Sequence, residues 1–200
     1  PIHQASTKTT LPHLSLALML LTTTAFLLAG LVKGVVGLGL PTLAMALLAL
    51  AMPPAQAAAL LILPSLVTNV WQMRPWPTLA PMTRRLWPMQ AGVVAGTLGG
   101  AWLLGAPAGA WAMQALGAAL VVYGLWGLSG ARVSQVPAGA ERLLGPLVGA
   151  VTGLVTAATG VFVIPAVPYL QALGLTRDEL VQTMGLSFTV STVALAAGLM

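Results

Sequence analysis

The sequence predicts an all-α integral membrane protein: a polytopic helix bundle of two similar halves, with glycine-rich helices that are broken or re-entrant. Three observations carry this reading. Of 200 residues, 58% are hydrophobic and 6% charged, against roughly 25% charged in a soluble domain, so lipid must solvate most of the surface. The few charges are bunched, leaving uncharged runs at 34–73, 86–131 and 143–176, each longer than the roughly 20 apolar residues that span a bilayer. Finally, a glycine-rich segment occurs twice, GLVKGVVGLGLP from Gly30 and GAVTGLVTAATG from Gly149.

The elements follow in order. Residues 1–12 are polar and threonine-rich, as expected of a disordered tail. A first transmembrane repeat then occupies 13–129, opening with a helix at 14–32. That helix exceeds the roughly 7–15 apolar residues of a signal peptide core and runs straight into more apolar sequence. A continuous rod from 14 to 51 would measure roughly 57 Å, nearly twice the hydrocarbon thickness of about 30 Å. Four glycines and Pro41 fall in its middle, so a break over 30–41 is expected, followed by a short apolar stretch at 42–51.

Residues 52–54 make a turn, and 57–71 crosses back. The segment 74–88 holds four prolines and three arginines and reads as a loop. Spans follow at 90–104 and 111–128, joined tightly at 105–107. The polar stretch 129–142 is the internal boundary, with 130–142 a cytoplasmic loop, and 143–200 begins a second repeat. Within it, 143–173 is again overlong and interrupted at Thr159-Gly160 and Pro165. Thr176 then caps a last helix, with Glu179 completing a capping box. The sequence opens on Pro1 and stops inside an apolar run, so further C-terminal helices are expected to be missing from it.

The arginine-bearing segments 74–85 and 132–142 are two spans apart and share a side, which the positive-inside rule makes cytoplasmic. The turns at 52–54 and 105–107 carry no positive charge. The net charge of +5 and pI near 10.9 therefore report topology; no basic stripe interleaved with aromatics points to nucleic acid. Cysteine is absent, and histidine occurs only at His3 and His13. No metal centre, cofactor or enzyme activity is expected, since the spans hold no Cys, His or acid. No nucleotide-binding loop is present. The tryptophans fall near helix ends, as an interfacial belt requires.

Gly30, Val32, Gly34 and Val36 match Gly149, Val151, Gly153 and Val155 at one offset. Repeats with interrupted hydrophobic segments in corresponding places point to a transporter binding site. A helix broken within the membrane frees backbone N–H groups, and an anion can satisfy them. The glycines alone equally suit close helix packing. Lys33 is the one charge within the long runs; it marks a site or snorkels from a helix end. The candidate substrate-binding set is Lys33, Gly34, Gly37, Gly39 and Pro41 at the first break, with Thr68, Asn69 and Gln72 on the following helix. At the second break it comprises Gly153, Thr156, Thr159 and Gly160. Thr189, Ser191 and Thr192 are counterparts of the Thr68, Asn69 and Gln72 group; such residues orient oxyanion oxygens or bond across helices as packing glue.

LVKGVVGLGLP, PSLVTNVWQ (64–72) and GLVTAATGVFVIP (153–165) together resemble the sulfite exporter TauE/SafE family, over about residues 14–200. The resemblance implies a multi-pass bacterial inner-membrane transporter of two four-helix halves, moving sulfite or organosulfonate anions. Ala157-Ala158-Thr159-Gly160 is poorer in glycine than the family's second repeat often is. Partners implied are the lipid bilayer and a small anionic substrate, with a homo-oligomer left open. A non-transporting membrane scaffold or assembly subunit is the alternative, and it would need no polar lining at the breaks.

Overall fold

The computed structural model describes residues 11–37, 40–105, 109–130 and 134–200. Among them all long elements are helices: α1 (Leu11–Val36), α2 (Leu40–Leu48), α3 (Pro54–Gln72), α4 (Leu79–Leu104), α5 (Gly109–Ser129), α6 (Ala138–Thr159), α7 (Ala166–Gln171) and α8 (Arg177–Gly198). Five are long and apolar enough to cross a membrane: α1, α3, α5, α6 and α8. Leucine and valine cover their outer faces, with Leu27, Val35 and Leu128 69%, 74% and 87% exposed. Such a surface belongs in hydrocarbon, where every backbone polar group is satisfied inside its own helix.

α1 is longer at both ends than the sequence indicates. It takes in Leu11 and Pro12 of the expected tail, whose other residues lie outside the described ones, and it continues through Lys33 to Val36. The break falls at Gly37, not across 30–36. There φ is +75° and the N–H donates to the Lys33 carbonyl at 2.7 Å, a left-handed cap that glycine adopts without strain. Pro41 sits in the first turn of α2, where its missing N–H has no intrahelical carbonyl to serve. α6 ends in the same manner. Gly160 has φ +72° and donates to the Thr156 carbonyl at 2.8 Å, and α7 starts just after Pro165.

The expected loop at 74–88 is much shorter. It contracts to a 3-10 turn at Trp76–Thr78, and α4 begins at Leu79. Pro81 occupies the first turn of α4, where proline is tolerated, while Pro88 lies inside the helix. Likewise Glu141 and Arg142 belong to the start of α6 rather than to a loop, and a carboxylate there suits the positive helix end. Thr176 and Glu179 form the capping box on α8, Thr176 N–H donating to Glu179 Oε2 at 2.8 Å.

Helix ends fix the register of the repeat. Gly37 and Gly160, the last residues of α2 and α7 (Leu48 and Gln171), and the first residues of α3 and α8 (Pro54 and Arg177) are each 123 apart. GLVKGVVG from Gly30 therefore corresponds to GLVTAATG from Gly153. The pairing of Gly30 with Gly149 is one helical turn out of register. In a chain so rich in glycine and valine, identities arise at several offsets, and only the backbone breaks distinguish among them.

The two repeats are inverted. α3 and α8, equivalent by register, pack antiparallel: Gln182 reaches the Met73 carbonyl at 2.8 Å, while ten residues on Thr192 meets Asn69 at 3.4 Å. α4 and α6 instead run parallel, Gly92 lying against Pro146 and Gly100 against Ala157. α5 makes the extra crossing that turns the second repeat over. On one face the starts of α4 and α6 meet: Arg85 pairs with Glu141 at 2.5 Å and donates to the Leu173 carbonyl at 3.1 Å. The arginine-bearing segments thus share a side.

Candidate functional site

The first break is beside a polar cluster. Lys33, in the last turn of α1, is 7% exposed. Its ammonium does not snorkel outward but turns toward α3, donating to Thr68 Oγ1 at 3.0 Å and to Asn69 Oδ1. Thr68 can accept because its own hydrogen goes back along the helix to the Pro64 carbonyl at 2.9 Å, a local bond that threonine readily makes within a helix. Asn69 is fully buried and bonds onward to Thr192 of α8.

Gln72 lies one turn beyond Thr68 on the same face. Its Nε2 donates to the Gly37 carbonyl at 3.0 Å and to the Val181 carbonyl at 3.1 Å. One amide thereby ties the first break to both α3 and α8. Both partners are carbonyls, so the nitrogen must face them, and the buried Oε1 has no partner among the described residues.

A cavity of about 480 Å³ opens here, bordered by Lys33, Gly34, Gly37, Thr68, Trp71 and Gln72 among others. A methyl group at Gly34 would meet no heavy atom within 4 Å, and neither would one at Gly30, so small residues keep this side of α1 open. An ammonium carries three donors. Two are used by neutral acceptors, and the chain's three acids are all elsewhere: Glu141 pairs with Arg85, and Asp178 and Glu179 stand in the first turn of α8. Lys33 is therefore a buried cation with no carboxylate partner among the described residues, set at the wall of a cavity.

The second-break candidates occupy a different place. Thr156 Oγ1 donates to the Thr152 carbonyl at 2.7 Å, and Thr159 Oγ1 donates to the Val155 carbonyl at 2.6 Å while accepting from Val161 N–H at 3.1 Å. Their hydroxyls serve the backbone around the break. Gly160 is seated against Met45 and Ala58, and Gly153 against the backbone of Val93, Gly96 and Thr97. Thus Lys33, Gly34, Gly37, Thr68 and Gln72 come together around one cavity with Asn69 behind them. Pro41 is buried in α2, and Gly39 lies outside the described residues.

Sequence reasoning passed over one contributor. Trp71, assigned to the interfacial belt, also borders the cavity and carries Arg74 over its ring at 3.9 Å. Thr192, read together with Thr189 and Ser191 as a counterpart of the polar residues on α3, reaches the cluster from the second repeat. The 123-residue register pairs it with Asn69.

An inverted repeat, broken at matched left-handed glycines and carrying a buried cation beside one break, defines the class of membrane transporters. The pattern of the family described as sulfite exporter TauE/SafE matches residues 22–200. The chain belongs to that family. No curated protein and no solved structure matches it.

Proposed function

We propose that this protein exports a small sulfur oxyanion, sulfite or an organosulfonate, by alternating access around its two broken helices. The observation that carries the reading is Lys33: a buried ammonium at a cavity wall, hydrogen-bonded to neutral groups alone among the described residues. A charge in that setting is costly without a counterion, and an anion in the cavity supplies one. Thr68 and Asn69 hold the ammonium in place while its remaining donor meets the cargo. The inverted repeat provides two related packings of the same helices, one open to each side. By the positive-inside rule the arginine-bearing face lies in the cytoplasm of a bacterial inner membrane.

The test is anion flux in proteoliposomes holding the full-length protein, with sulfite, sulfoacetate, sulfate and chloride compared and insertion verified. Saturable flux of sulfite or sulfoacetate is expected, with sulfate and chloride slower. Absence of flux for all four, under pH gradients of either sign, would overturn this reading in favour of a scaffold.

A further inference from the structure

We propose that Thr192 is a positioning residue for the anion site, acting from the second repeat by anchoring the Asn69 amide whose oxygen accepts from Lys33. This rests on the reading of Lys33 as the anion-binding group. Asn69 and Thr192 occupy the same position in the two repeats, 123 residues apart, and they bond to one another, Asn69 Nδ2 to Thr192 Oγ1 at 3.4 Å. Each is at most 1% exposed, so no solvent competes for either group.

The polarity of the chain is determined by donor counting. A threonine hydroxyl has a single hydrogen, and that of Thr192 goes to the Phe188 carbonyl at 2.6 Å. Toward Asn69 the hydroxyl can therefore only accept, which requires the amide nitrogen to face it. The amide oxygen must then face α1, where Lys33, a group with donors only, needs an acceptor. Order propagates from the Phe188 carbonyl through Thr192 and Asn69 to the ammonium. Lys33 demands the amide oxygen from one edge and Thr192 the amide nitrogen from the other, so the two favour one orientation. Without the Thr192 hydroxyl the amide N–H edge is left buried and unpaired, and the oxygen that Lys33 uses is anchored from one side only.

The seam between the repeats and the cation at the first break are therefore one unit. Thr192 is not among the described residues that line the cavity.

The test compares Thr192→Val, which keeps the shape and removes the hydroxyl, with Thr192→Ser, which restores the hydroxyl alone. In proteoliposomes of the full-length protein, Thr192→Val is expected to raise the KM for sulfite about tenfold, the scale of one hydrogen bond to a charged group. Its kcat should stay within about twofold, and Thr192→Ser should return KM to near the wild-type value. A Thr192→Val protein with unchanged KM, or with kcat falling alongside it and no rescue by serine, overturns the proposal.

A second readout does not need transport. Protein labelled with 13C at lysine Cε gives one signal per lysine, and the Lys33 signal is the one lost in Lys33→Met. The Lys33 signal is expected to shift in Thr192→Val and not in Thr192→Ser. No shift in Thr192→Val, or the same shift in both, overturns the positioning role. Sulfite flux absent from the wild type with the Lys33 shift present would reject the cargo and retain the linkage. Should Thr192→Val fail to insert, Thr192→Ala is read by the same two measurements.

Discussion

Gly37 and Gly160 are the same joint in two copies, at φ +75° and +72°, each donating its N–H to the carbonyl four residues back. Their surroundings differ. A methyl group on Gly160 would meet Met45 Cε at 3.0 Å and the Ala58 methyl at 3.2 Å, whereas on Gly37 the nearest atom is 3.8 Å away. Both alanine substitutions incur the left-handed strain of about 1 kcal/mol; only Gly160→Ala adds crowding. Thermal unfolding in detergent should therefore rank wild type above Gly37→Ala above Gly160→Ala. Equal losses would show that the crowding at Gly160 relaxes freely.

Lys33 separates function from stability. Its ammonium is buried among neutral groups, so replacing it removes a charge that the fold must desolvate. Lys33→Met is expected to reduce sulfite transport by at least about tenfold, as loss of a charged contact implies, with Tm unchanged or raised. Lys33→Ala should likewise insert normally and fail to transport. Full transport by a well-inserted Lys33→Ala protein would remove Lys33 from the site.

The glycines at four-residue spacing divide into two roles. On α6, a methyl at Gly149 or Gly153 would overlap the facing backbone of α4, while Gly30 and Gly34 on α1 meet nothing within 4 Å. Gly153→Ala must push two helices apart, an overpacking penalty of about 1–3 kcal/mol. Gly30→Ala, its counterpart in the other repeat, should leave Tm unchanged. Matching losses at the two positions would show that α1 also has a tightly packed neighbour on that side.

Much of this was legible in the sequence, because the bilayer permits few alternatives. The all-helical membrane class, the break at Thr159-Gly160, the capping box at Thr176 and the shared face of the arginines all follow from length, charge and cap chemistry. What failed did so for local reasons. Proline clusters look alike in a loop and in a first helical turn, so α4 begins nine residues earlier than the sequence places its end of the loop at Pro88. The cluster of Lys33 with Thr68 was visible as polar residues in apolar runs. Its link to Thr192 was not, since it depends on the repeat register, and glycine and valine are too common here for identities alone to fix it.

These 200 residues hold no cysteine, so single cysteines introduced here, with any elsewhere in the full-length protein replaced, test orientation directly. Leu50, 81% exposed in the turn before α3, and Ser134, exposed in the segment between α5 and α6, are separated by three crossings, α3, α4 and α5. An odd number places them on opposite sides. Ser134 lies with Arg85 and Arg142 on the arginine-bearing face, which the positive-inside rule assigns to the cytoplasm. An impermeant maleimide should therefore label Leu50→Cys in right-side-out vesicles and Ser134→Cys only in inverted ones. The reverse pattern would turn the molecule over in the membrane and make the proposed export an uptake. Labelling of both from one side would mean that α4, the most polar of the three, does not cross.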